Sequence, residues 1–230
     1  VGQRRGGDRE LVLIGDDERA YLGPYQRAVD SHGPGFPALL FGSREHQRRR
    51  FEVLCATMPL AGRRIADLGC GHGDLLAWLC DHDVAYADYL GIEAIPEFVG
   101  IARGRLAAHP QAAAEFVLAD FVAEPERVAA LIRARDIDMI VLSGSLNTLD
   151  EAAALAVLER AWAALDGRPA AALGFNFLAG GGDWDRPATR LPRRDTERWV
   201  SWALARTSRV IFCQHYLGAH DATIVLFRPD

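Results

Sequence analysis

Lysine is absent from this 230-residue chain, and all 26 of its basic residues are arginine. Schiff-base and lysine-nucleophile chemistry are thereby excluded. Cysteine is sparse: Cys55, Cys70, Cys80 and Cys213, with no C-x-x-C pair. Neither a disulfide framework nor a zinc site is expected from that spacing, no metal is assigned, and a reducing cytoplasm fits. The longest apolar runs are far too short to cross a bilayer, so no membrane partner is expected. No signal peptide is visible, although the chain begins at Val1. An excess of positive charge is also missing. The net charge is −5, which speaks against a broad nucleic-acid surface. Half of the residues are hydrophobic, which places the chain among globular proteins with a full core.

Glycine, by contrast, is abundant and concentrated. Residues 63–68 form a short apolar run ending in Asp67-Leu68, followed by Gly69-Cys70-Gly71-His72-Gly73. Then come Leu75, Trp78 and Leu79 at helical spacing. The glycines therefore occupy a strand-to-helix turn, where a bare backbone can bend sharply and lie against a ligand. In open α/β sheets such turns sit at the ligand-binding mouth. The dinucleotide fingerprint is G-x-G-x-x-G; the spacing here is G-x-G-x-G with an acid two positions before it.

The rest of the chain alternates. Further strands are expected at 86–93, 114–120, 137–142, 170–177, 209–216 and 223–227, the last two joined as an antiparallel hairpin near Gly218. Between them, Pro96 and Pro125 open helices, Thr148 and Glu151 suggest a capping box, and Asp195 suggests a cap. Ser43 is a candidate N-cap for a leading helix with Phe51, Leu54, Cys55 and Met58 as its apolar stripe. Residues 1–42 read as a tail and an irregular aromatic cap, and 43–230 as the main domain. The Gly- and Pro-rich stretch 179–194, with Asp183, Trp184 and Asp185, is long enough to be functional. Alternation by itself gives a doubly wound α/β sheet.

Asp67-Leu68-Gly69-Cys70-Gly71-His72-Gly73 resembles motif I of the class I S-adenosylmethionine (SAM) methyltransferases, D/E-x-G-x-G-x-G, residue for residue. The similarity spans roughly residues 60–230. It implies a Rossmann-like seven-stranded sheet in the order 3-2-1-4-5-7-6, with strand 7 antiparallel. The segment Gln47-Arg48-Arg49-Arg50-Phe51 and the turn Ser143-Gly144-Ser145-Leu146-Asn147 also look like those of a little-characterised branch of small bacterial methyltransferases.

That resemblance, combined with residue chemistry, yields a set of candidates. Glu93, 26 residues after Asp67 at a strand end, can accept from vicinal ribose hydroxyls, with Ala94 beside it. Asp120 either accepts from the adenine amine, with Phe121 packing the ring, or caps the next turn. Asp67, Gly69, Cys70, Gly71 and Gly73 would serve the methionyl end of SAM. Gln47 is placed toward the cofactor, and Arg50 is a partner for its carboxylate. Ser143 lies where cofactor and acceptor meet. Asn147 either orients the acceptor or forms an Asx turn. His215 is a candidate base or a structural histidine. Tyr21, Tyr25, His32 and His46 are further candidates in the cap and leading helix.

The function implied is methyl transfer from SAM to an O, N or S atom of a small-molecule acceptor, with release of S-adenosylhomocysteine (SAH). The cap and the 179–194 stretch would wall the acceptor. The alternatives are an NAD-linked oxidoreductase, a non-catalytic SAM- or nucleotide-binding module, and RNA methylation. The sequence sets neither the acceptor nor an oligomeric state.

Overall fold

In the computed structural model, residues 19–180 and 191–230 are described. The apolar run before the glycine turn is strand β1 (Arg64–Leu68). It lies between β2 (Asp88–Glu93) and β4 (Met139–Ser143), parallel to both. β3 (Ala114–Leu118) adds to β2, and β5 (Ala172–Leu178) adds to β4, again in parallel. β7 (Asp221–Phe227) inserts antiparallel between β5 and β6 (Val210–Cys213). The order is β3-β2-β1-β4-β5-β7-β6, as the resemblance implies. Winding reverses between β1 and β4, which opens a crevice at the C-terminal ends of these strands.

Helices cover both faces, which is why the central parallel strands are apolar throughout rather than alternating. On one face α2 (Arg44–Thr57), α3 (Asp74–Asp81) and α4 (Pro96–Leu106) pack over Ile65, Tyr89, Met139 and Val141. On the other, α5 (Pro125–Ala134), α6 (Glu151–Ala164) and α7 (Thr196–Leu204) cover Ala66, Leu68, Ile140, Leu142 and Phe175. α1 (Gly23–His32) and two short 3-10 turns, Ala20–Leu22 and Phe36–Leu39, form the N-terminal segment. Its Leu39 and Ala38 pack with Ile95 and Phe98 just past the end of β2.

Ser43 caps α2 as expected, its hydroxyl accepting from the His46 amide at 3.1 Å. Asp195 caps α7 in the same way through Arg198. The expected Thr148/Glu151 capping box does not form. α6 begins at Glu151, so Asp150 occupies the cap and accepts from the Ala153 amide at 2.7 Å. Glu151 reaches instead to Trp199 and Arg198 of α7.

β6 ends at Cys213, three residues before the expected boundary. Beyond it, Leu217, Gly218 and Ala219 all adopt positive φ, a left-handed turn that ends the ladder. His215 is therefore outside any strand and exposed, while Tyr216 is buried with its hydroxyl 2.6 Å from Thr223 Oγ1. The ends of the Gly/Pro-rich stretch are tied together: the Gly180 amide donates to the Arg194 carbonyl at 2.7 Å, and the Arg194 amide to that of Leu178 at 2.8 Å. Asp183, Trp184 and Asp185 lie outside the described residues.

Candidate functional site

A cavity of about 880 Å³, including its open mouth, occupies the crevice between the ends of β1 and β4. That is within the range of small-molecule and cofactor sites. Of the residues singled out from the sequence, Gln47, Arg50, Asp67, Gly69, Cys70, Gly71, Glu93, Ala94, Asp120, Phe121, Ser143 and Asn147 all line it. Gly73 and His215 do not.

The difference for Gly73 has a steric cause. It opens α3 with φ +71°, and a Cβ there would fall 2.6 Å from Phe116 Cζ. Its bareness lets the helix approach the sheet, and it stands outside the cavity lining. Gly69 has φ +77°, and a Cβ there would meet Ser145 at 2.4 Å. Here the lack of a side chain brings the glycine turn against the turn that follows β4.

Glu93 ends β2 almost fully buried. Its Oε1 accepts from the Ala94 and Ile95 amides at 2.8 and 3.0 Å, and its Oε2 from the Gly71 amide at 2.9 Å. Burial pushes this carboxyl above the usual range, and the three amides act in the opposite direction. A carboxylate has about four acceptor sites, so a lone pair on Oε2 stays open to a ligand hydroxyl.

Asp67, on the same face of the sheet as Ile65, is 2 % exposed. Tyr89 donates its hydroxyl to Oδ2 at 2.5 Å, whereas Oδ1 has no partner among the described residues. Burial raises the Asp67 carboxyl to about 7; the Tyr89 hydrogen bond opposes the rise, and Glu93 and Asp74 reinforce it. Asp74 itself is held by Gln47 Nε2 at 2.9 Å and by an ion pair with Arg105.

At the far end Asp120 fills the capping role left open by the sequence with one oxygen and turns the other to the N-terminal segment. Oδ1 accepts from the Val122 and Ala123 amides, each at 3.0 Å, and so caps the turn. Oδ2 faces the N-terminal segment, taking the Tyr21 hydroxyl at 2.8 Å with Arg19 Nε 3.5 Å away. Tyr21 and Tyr25, one helical turn apart, line the cavity with Leu22, Leu39 and Phe41. Burial, reinforced by Glu93, pushes the Tyr25 hydroxyl up to about 12.

On the opposite wall Arg50 lies 5.0 Å from the Phe41 ring centroid. Its Nε donates to Asp221 Oδ1 at 2.6 Å in a buried ion pair. The turn after β4 is held from behind by Asn176, whose Oδ1 accepts from the Gly144 amide at 2.9 Å and whose Nδ2 donates to Ser143 Oγ at 3.2 Å. Asn147 uses its Oδ1 to hold the Leu178 amide at 3.3 Å, which adds a structural duty to its place in the cavity wall.

Residues 66–167 match a family model for a methyltransferase domain, the stretch that carries the glycine turn, Glu93, Asp120 and the β4 turn. This similarity to a methyltransferase domain covers a little under half of the chain. Solved structures share the fold. A phosphoethanolamine N-methyltransferase from Haemonchus contortus superposes with a TM-score of 0.66 at 11% identity, over 92% of this chain and 49% of that one. A possible exported protein from Bordetella parapertussis gives 0.61 at 19% identity, over 90% and 79%. A SAM-dependent methyltransferase from Mesorhizobium loti gives 0.54 at 16%, over 81% and 99%. Comparison with curated proteins gives no match.

The residues present fit SAM, the cofactor that the resemblance implies. The orphaned Oδ1 of Asp67 lacks the donor that an ammonium supplies. Glu93 keeps an acceptor for a ribose, and bare glycine backbone runs between the two. Sequence reasoning missed Tyr89, Asn176, Asp74 and Asp221. For Tyr89 a signal existed: Tyr89, Gly91 and Glu93 alternate on one strand, so they share a face. No helix among the described residues is long and apolar enough to cross a membrane.

Proposed function

We propose that this chain is a SAM-dependent methyltransferase that modifies a small-molecule acceptor at an O, N or S atom, in the cytoplasm. The observation that carries the reading is the roof of the cavity. Tyr21, Leu22, Tyr25, Leu39 and Phe41 of the N-terminal segment stand over the same crevice that Asp67 and Glu93 line from below. A roof of that kind suits a compact acceptor better than a polymer laid across an open face, and the net charge of −5 agrees. Four free cysteines suit a reducing compartment.

SAM supplies an electrophilic methyl group on a sulfonium. The chain's own residues bind, orient and exclude water. In this reading Asp67 takes the α-ammonium, Arg50 the carboxylate, Glu93 the ribose hydroxyls and Asp120 the adenine amine, with Phe121 and Tyr21 against the ring. Gly69, Cys70, Gly71 and Ala94 give backbone contacts along the way, and Gln47 steadies Asp74 beside them. Ser143 and the Nδ2 of Asn147 face the acceptor. An acceptor lone pair forms the new bond to carbon as the carbon–sulfur bond breaks, and its electrons leave on SAH. His215, exposed and away from the cavity, has no part in the step. Residues 1–42 serve as tail and cap, and 43–230 as the methyltransferase domain.

The test is to incubate the protein with SAM and fractionated bacterial metabolites, then search by mass spectrometry for a compound that gains one methyl group as SAH appears. Methylation confined to RNA or protein fractions would overturn the small-molecule reading.

A further inference from the structure

We propose that Tyr89, a residue outside the cavity, is a positioning residue for cofactor binding: its buried hydroxyl holds Asp67 as a carboxylate and leaves Oδ1 for the ammonium of SAM. The inference rests on the assignment of Asp67 to that ammonium.

Tyr89 is fully buried in β2, with its ring between Tyr86 and Phe116 at centroid distances of 6.3 and 6.0 Å. In the sheet register Tyr89 stands opposite Ile65, and Asp67 opposite Gly91. The phenol thus reaches diagonally past a glycine to Asp67 Oδ2, 2.5 Å away. The space a side chain at 91 would need is taken by Phe116 and Cys70, so no other group approaches from that strand. The geometry is that of a hydrogen bond to a charged acceptor in a dry place, the strong kind.

The surroundings give Tyr89 its weight. β2 presents Glu93, the glycine turn presents the Cys70 thiol, and α3 presents Asp74. α2 contributes Gln47 and α4 contributes Arg105, but both bind Asp74 rather than Asp67. β4 pairs there through Val141, which is apolar. Every acidic neighbour disfavours a second negative charge. Among the described residues, the Tyr89 hydroxyl is the side-chain donor to Asp67. Without it the carboxyl takes up a proton, becomes neutral, and no longer attracts an ammonium.

The experiment measures dissociation constants from pH 6 to pH 8 for SAH and for 5′-methylthioadenosine, which has the nucleoside but no ammonium. Wild type, Tyr89→Phe and Asp67→Asn are compared. The ligand's own titration is common to all three proteins and cancels in the ratios. The expected result is that Tyr89→Phe weakens SAH by about tenfold at pH 7, where the unsupported Asp67 carboxyl is mostly protonated, and that the deficit shrinks as pH rises. Methylthioadenosine binding stays unchanged. If Tyr89→Phe is too unstable alone, SAH is titrated in competition with methylthioadenosine, which holds the fold by linkage. An SAH profile with wild-type affinity and midpoint, or equal losses for both ligands, overturns the role of Tyr89. Wild-type SAH affinity in Asp67→Asn overturns instead the assignment of Asp67.

Discussion

The amide of Gly71 donates to Oε2 of Glu93 at 2.9 Å, so the carboxylate at the end of β2 holds the glycine turn that follows β1. Two further amides, of Ala94 and Ile95, converge on its other oxygen. With the ribose role proposed for Glu93, ligand recognition and turn geometry are coupled in one side chain. Glu93→Ala is therefore expected to lower SAM affinity by roughly 10- to 100-fold and to cost about 2 kcal/mol of stability without ligand. Calorimetric titration and denaturant melts measure the two effects. A loss of affinity with no loss of stability would show that the turn holds itself.

Gly73 separates packing from binding. Gly73→Ala combines a φ of +71° with a Cβ 2.6 Å from Phe116 Cζ, and is expected to destabilise by about 1–3 kcal/mol. Phe116→Leu in the same chain should recover part of that loss. SAM affinity of the folded protein should change little, because Gly73 does not line the cavity. Chemical denaturation of the single and double variants measures the coupling.

Asp120 is assigned to the adenine amine through its Oδ2. Wild type should then prefer SAH to its deaminated analogue, whose ring carries an acceptor oxygen in place of the amine. In Asp120→Asn an amide can donate to that oxygen, and the preference should fall by about tenfold or more, in line with one lost charged hydrogen bond. An unchanged preference would remove Asp120 from the adenine site and leave it as a cap for the turn.

Asp67 ties stability to pH. Its carboxyl titrates at about 7 in the folded chain and near its ordinary value, about 3.9, when unfolded. Between those values the folded state holds the extra proton, so stability without ligand falls as pH rises from about 4 to about 7. Glu93 is shifted in the same direction. Comparison with Asp67→Asn isolates the share of Asp67: the variant should show a shallower decline in urea melts between pH 5 and pH 8. If Asp67 takes the ammonium of SAM as proposed, added SAM should stabilise wild type more at pH 8 than at pH 6.

Arg50 and Asp221 lie 171 positions apart and form a buried ion pair between α2 and β7. His220 adds a second contact to Asp221, at 3.1 Å. Asp221→Ala leaves the guanidinium buried without its counter-ion, at an expected cost of about 3–5 kcal/mol. Thermal and urea melts measure it. A variant as stable as wild type would mean that water or a cavity group replaces the carboxylate.

Local pattern made the sheet readable. Each strand is an apolar run closed by an acid, a glycine or a turn, and α2 to α7 show stripes at their own period. Residues 23–32, expected as irregular cap, form α1, which buries no residue and so leaves no such stripe. Parallel strands all end at one edge, so acids at strand ends, Asp67, Glu93 and Asp120, converge without further information. The errors fell where the signal is not periodic. Thr148 and Asp150 are both good caps, and only the helix start at Glu151 chooses between them. The end of β6 depends on a left-handed turn at residues 217–219, two of which are not glycine.

The sequence by itself determined the strand–glycine turn–helix unit, the order of elements and the acids at the mouth of the sheet, because these follow from spacing within a few residues. Only the tertiary structure decided what surrounds those acids. Tyr89 against Asp67, Tyr21 against Asp120 and Asp221 against Arg50 join positions 22, 99 and 171 residues apart. Such pairs are set by how helices and strands pack, and no local period records them.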